Sequence, residues 1–189
     1  MAGASVTVNG LPAQLLYVSD HQINFVIPPE VEPGIASVVV RNSFGGFALG
    51  HITIADAAPA IFTADASGRG DAAAVATADG FTYQQSPFAV TVNSQPNYLL
   101  LFGTGLRRAS NANNEDANGI AERVAVTIGG IAAKVLYAGA QGQYVGLDQL
   151  NIELPASLAE RLSNVPSRVE VVVSVNGVEA NRTSVWLRK

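Results

Sequence analysis

The chain has 189 residues, 48% hydrophobic and 14% charged, with a net charge of −4 and no cysteine. That apolar content rules out a disordered tail and is enough to fill one large or two small domains. The absent thiols exclude disulfides, thiol catalysis and cysteine-ligated zinc or iron–sulfur centres, and the scattered lysines and arginines exclude a phosphate-gripping groove, hence a nucleic-acid partner.

In chain order, the opening MAGASVTVNG has neither a basic n-region nor an apolar h-region. It is therefore not a signal peptide and reads as a boundary within a longer protein. SVTV and PAQLLY flank Asn9-Gly10, a two-residue hairpin signal, because such a turn needs positive φ. QINFVIP (22–28) follows with period two. Ile23, Phe25 and Ile27 fall on one face of a strand, Gln22, Asn24 and Val26 on the other, and Pro28 ends it for want of an N–H. ASVVVRN (36–42) and HITIA (51–55) predict two more strands.

APAIFTADASGRGDA, from residue 58, reads as an inter-module connection rich in turns. Within 59–96, AAAVATA, FTYQQ and FAVTV predict short strands. NYLLLFGTGLR (97–107) predicts a buried strand closed by a glycine turn. No apolar run reaches the ~18 residues a membrane helix needs, so no membrane insertion is expected.

The early pattern then returns. VTVNGLPAQLLY at 6–17 matches VTIGGIAAKVLY at 126–137, 120 positions on, and QINFVIP matches QLNIELP at 149–155, 127 positions on. The difference of seven is an insertion within AGAQGQYVGLD. PASLAERLSN (155–164) predicts one short helical turn, and RVEVVVSVNG (168–177) and TSVWLRK (183–189) predict the closing strands. The expected fold is all-β: tandem immunoglobulin-like β-sandwich modules, the first lacking its front strands. The expected division is a partial module at 1–58, connecting hairpins at 59–96 that complete the first module unless the chain begins inside one, and a complete module at 97–189.

The run G-x-x-A-x-(L/V)-L-Y, then Q-(I/L)-N-x-x-(I/L)-P, then a valine-rich strand, resembles a repeat family at the C-termini of secreted Acidobacteria proteins such as those of Solibacter. APAIFTADASGRGDAAA and LFGTGL resemble the middle section of that family. Its layout is similar to the IPT/TIG type of immunoglobulin-like domain. The resemblance implies an extracellular or cell-surface β-sandwich and carries no catalytic residues.

Candidate chemistry is sparse. The amide pairs Gln22/Asn24 and Gln149/Asn151 suit sugar hydroxyls, since an amide both donates and accepts, but their recurrence favours a structural role in bonding a neighbouring loop. Tyr83, Tyr98 and Tyr144 are candidate sugar platforms, whereas Tyr17, Tyr137 and Trp186 read as packing aromatics. Asn114, Asp116 and Asn118, followed by Gly119, resemble the start of a calcium loop, with Glu122 as a further oxygen; Ala125 stands where the closing carboxylate belongs. Ca²⁺ is the sole cofactor considered, and none is the favoured expectation. Ser19-Asp20-His21 cannot form a triad, because consecutive residues cannot face one another. Arg69-Gly70-Asp71 reads as a glycine turn rather than a recognition tripeptide, and Asn181-Arg182-Thr183 is a formal glycosylation acceptor.

The leading expectation is a non-catalytic spacer, adhesion or assembly module that meets other domains or neighbouring chains through exposed strand edges. One alternative is a carbohydrate-binding or accessory module with a polysaccharide partner. The other is a small glycoside hydrolase using Asp148 and Glu153.

Overall fold

The computed structural model describes residues 3–106, 124–163 and 165–189. It is all-β, with layers of strands packed around hydrophobic cores as in a β-sandwich. Among the described residues no helix is long and apolar enough to cross a membrane. The chain divides into two compact units, Met1–Asp56 and Ala57–Lys189.

Unit 1 contains β1 (Ser5–Val8), β2 (Leu11–Pro12), β3 (Gln14–Val18), β4 (Ile23–Val26), β5 (Gly34–Arg41) and β6 (Phe47–Ile54). One sheet runs β2-β1-β5-β6, and β3 pairs separately with β4. Unit 2 begins with β7 (Ala60–Ile61), β8 (Gly70–Asp71), β9 (Ala74–Thr77), β10 (Phe88–Ala89), β11 (Thr91–Val92), β12 (Gln95–Pro96) and β13 (Tyr98–Thr104). It continues with β14 (Val124–Ile128), β15 (Ile131–Ala140), β16 (Asp148–Glu153), α1 (Leu158–Arg161), β17 (Ser167–Val175), β18 (Val178–Glu179) and β19 (Thr183–Arg188). Its main sheet runs β10-β19-β17-β14-β15-β16-β13-β7, with β8 added to β19 and β9 to β13. β15 serves two partners: its start pairs with β14, and from Lys134 it pairs with β16, with a register shift between Val135 and Tyr137.

The repeat in the sequence is a repeat of pairing register. Val8 faces Leu11 and Ile128 faces Ile131, across turns in which Asn9, Gly10, Gly129 and Gly130 all have positive φ. Leu15 faces Phe25 and Val135 faces Ile152; each pair is followed by the same irregularity, so that Tyr17 meets Asn24 and Tyr137 meets Asn151. Val8–Val38 corresponds to Ile128–Val171, and Gly34–Ile54 to Ser167–Leu187. Beyond the strands, the Val31 N–H donates to the Pro28 carbonyl and the Leu158 N–H to the Pro155 carbonyl.

Residues 59–96 pair within unit 2. β7 and β9 pair with β13, while β8 and β10 lie parallel to β19, so this segment is woven into unit 2 on both sides. The stretch expected to be a connection therefore covers a core. FTYQQ forms no strand and meets the sheet through a single bridge between Ala76 and Gln84. LFGTGL explains how the cover lies so close. A Cβ at Gly103 would collide with the Ala60 carbonyl, and Gly105, at φ +77°, leaves no room for one against the Ala58 carbonyl.

The cores differ in depth. Unit 2 buries one large cluster that includes Leu99, Leu101, Leu150, Ile152, Val173 and Leu187. Unit 1 fully buries only Val8, Val31 and Ala36 in its cluster, with Phe25, Ile27, Val38, Ile52 and Ile54 packed around them but partly open to water.

Candidate functional site

Unit 2 carries an open cleft of about 400 Å³. Trp186, Phe102 and Phe88 give it aromatic surface, and Asp71, Ser184 and Gln85 give it polar groups. Strand parity decides what faces it. Along β19, Thr183, Val185 and Leu187 are buried while Trp186 and Arg188 point out, leaving Trp186 39% exposed.

Pairing register then assembles the polar side. Parallel pairing of β8 with β19 sets Asp71 opposite Ser184, and antiparallel pairing of β17 with β19 sets Arg168 opposite Trp186. The Trp186 indole Nε1 donates to Asp71 Oδ2 at 3.1 Å, and Arg168 Nε donates to Asp71 Oδ1 at 2.8 Å. Both charges are about half exposed, so the ion pair adds at most about 1 kcal/mol. Its consequence is geometric: the indole ring is held at one angle beside a carboxylate whose charge is already matched. Each carboxylate oxygen has two lone pairs, so Asp71 keeps capacity to accept from a ligand hydroxyl. The Asp of Arg69-Gly70-Asp71 is thus a strand residue engaged by two partners.

The predicted site residues are dispersed. Gln22 Nε2 donates to Asn24 Oδ1 at 2.6 Å, and Gln149 Nε2 to Asn151 Oδ1 at 2.7 Å. Each amide pair bonds within itself along one strand face. The first is exposed and the second half-buried, because β13 crosses beside Gln149 and Asn151. Tyr98 is half-buried in β13 opposite Thr77 and Glu153. Tyr83 and Tyr144 are exposed on separate loops. The Tyr137 hydroxyl donates to the Ala140 carbonyl, whereas Tyr17 is half exposed. Asn114, Asp116, Asn118 and Glu122 lie outside the described residues.

The hydrolase pair does not converge. β16 alternates, with Asp148, Leu150 and Ile152 buried and Gln149, Asn151 and Glu153 on the other face, so Asp148 and Glu153 point to opposite sides. Asp148 is 2% exposed and accepts from the Leu106 N–H at 2.9 Å, which fixes the chain after the glycine turn.

The loop that carries Tyr83 is set by a carboxylate. Asp79 Oδ1 accepts from the N–H groups of Thr82 at 2.7 Å and Phe81 at 2.8 Å, and from Thr77 Oγ1 at 3.1 Å. These bonds, led by the Thr82 and Phe81 amides, hold its pKa well below the usual carboxylate range. A depressed folded-state pKa contributes stability that is present above the unfolded value of about 3.9 and is lost as pH falls through the folded value. The Phe81 and Thr82 amide shifts are therefore expected to hold steady on acidification through pH ~4 and to move only in stronger acid. A midpoint in NMR titration at the ordinary aspartate value would refute this.

The residue that sequence reasoning misplaced is Trp186, expected in packing. The signal was present: in TSVWLRK it shares parity with Arg188, not with Val185 and Leu187.

No family model matches the chain, and no curated protein matches it. Among solved structures it is similar to SGBP-B of the mixed-linkage glucan utilization locus of Bacteroides ovatus, solved in complex with a mixed-linkage heptasaccharide. The two are 12% identical with a TM-score of 0.40, over 98% of this chain and 38% of that one. The chain thus spans well under half the length of that protein, and at such distance the likeness argues neither fold nor ligand.

Proposed function

We propose that the chain is a non-catalytic extracellular module of two immunoglobulin-like sandwich units, akin to the C-terminal repeats of secreted Acidobacteria proteins, and that unit 2 binds a neutral polysaccharide across the Trp186 cleft. The observation that carries this is the fixed, half-exposed indole beside a charge-matched carboxylate. The cleft falls in the ~300–1,000 Å³ range of ligand sites and mixes aromatic surface with a few polar groups. The apolar face of a sugar ring stacks on an indole while its hydroxyls bond Asp71, Ser184 and Gln85. Charge matching at Asp71 by Arg168 suits an uncharged ligand.

The test is retention of the full chain on a panel of soluble and insoluble polysaccharides, by affinity electrophoresis and pull-down. Trp186→Ala is expected to weaken retention about tenfold or more, with the fold intact by circular dichroism because the side chain faces outward. Equal retention of the variant, or none of the parent, would sink the reading.

A second reading, a spacer or assembly module, rests on a different observation: the two units repeat one set of pairing registers, as stacked modules of a longer surface protein do.

A further inference from the structure

Unit 1 repeats the pairings of unit 2 but not its burial. In unit 2, Leu150, Ile152, Val173 and Leu187 are each at most 1% exposed. Their register counterparts Ile23, Phe25, Val40 and Ile54 are all only half-buried. The outer edge of β16 is occupied by β13, which pairs antiparallel with it from Tyr98–Glu153 to Gly103–Asp148. β4, the counterpart of β16, pairs with β3 and with no other strand among the described residues. Among the described residues its second row of N–H and C=O groups is thus open beside an incompletely covered apolar face, and such an edge templates strand addition.

What fits there is specified by what fits in unit 2. β13 sends Leu99 opposite Ile152 and Leu101 opposite Leu150, both leucines at 0% exposure. We propose that the free edge of β4 accepts an antiparallel apolar strand from a protein partner, of the Tyr-Leu-Leu-Leu-Phe-Gly type seen in β13. Transposed through the shared register, the inward leucines sit opposite Phe25 and Ile23, and the aromatic next to the glycine sits opposite Gln22. This deepens the assembly reading and is independent of the Trp186 cleft, which lies in unit 2.

The probe is a synthetic peptide with the sequence of residues 97–105, carrying a dye and a lysine tail for solubility, titrated against the full chain. Saturable binding is expected, with new hydrogen-exchange protection at those alternate amides of Ile23–Val26 that do not bond to β3. In the peptide, lysine at the positions of both Leu99 and Leu101 is expected to weaken binding about tenfold or more, since it drives charge onto the apolar face. Lysine at the intervening Leu100 position, on the opposite face, is expected to change it little. No binding at concentrations on the order of 1 mM, binding without protection of β4, or equal binding of the double-lysine peptide overturns the proposal. Polysaccharide retention is unchanged by the peptide in every case, so failure here leaves the cleft reading standing.

Discussion

Gly103→Ala is expected to destabilise unit 2 by about 3 kcal/mol, read as a lowered urea midpoint by fluorescence of Trp186, the chain's single tryptophan. The added methyl has nowhere to go. It meets the carbonyl of Ala60, a backbone atom in β7, which is itself paired with Gly103 and Thr104. A flexible side chain would swing aside, but this backbone is pinned on its other side by Asn181. Gly130→Ala is the control. That glycine has φ +75° and open space around its Cβ, so only backbone strain of about 1–2 kcal/mol is expected. A Gly103 effect no larger than the Gly130 effect would show that β7 is free to retreat.

The second large effect is expected at Asn181. Its Oδ1 accepts from the Ile61 N–H at 2.7 Å, and its Nδ2 donates to the carbonyls of Ile61 and Gly68, each at 2.9 Å. The side-chain amide thus does for β7 what a neighbouring strand would do. Asn181→Ala leaves the backbone of a residue that is 1% exposed without its partners, which should cost about 2–4 kcal/mol. Asn181→Asp should be no milder, because it keeps the acceptor but sets a carboxylate against two carbonyls. A shift in urea midpoint of either variant within error of the parent would mean that β7 is held by its pairing with β13 alone. The same geometry answers the formal glycosylation acceptor: the amide nitrogen of Asn181 is already committed to two carbonyls.

Much of the architecture could be read from residues. The period of two in Ile23, Phe25 and Ile27, and in Leu150, Ile152 and Leu154, located β4 and β16, because strand parity is local and leaves a mark in every second residue. Asn9-Gly10 and its repeat at Gly129-Gly130 located two hairpins, since positive φ restricts residue choice. The allegiance of residues 59–96 was not legible. β7, β8, β9 and β10 are two to four residues long, and their partners lie far along the chain in β13 and β19, so local pattern cannot say which unit they join. The cleft was hidden for the same reason: Asp71 meets Trp186, 115 positions on, only through the parallel pairing of β8 with β19. Gln149 and Asn151 were legible as a pair but not as partners of each other, because two amides on one strand face give no sequence sign of which way they turn.

The parallel pairing of β8 and β10 with β19 also sets the order in which the molecule can form. Unit 1 joins near neighbours, β3 to β4 and β5 to β6, and can zip up as it is made. Unit 2 cannot: β8 and β10 wait unmatched until β19 has been synthesised to receive them. Long-range closure of this kind slows folding, so refolding should be fast for the first unit and slow for the second. During that delay the leucine run of β13 is the stretch most in need of protection from other nascent chains.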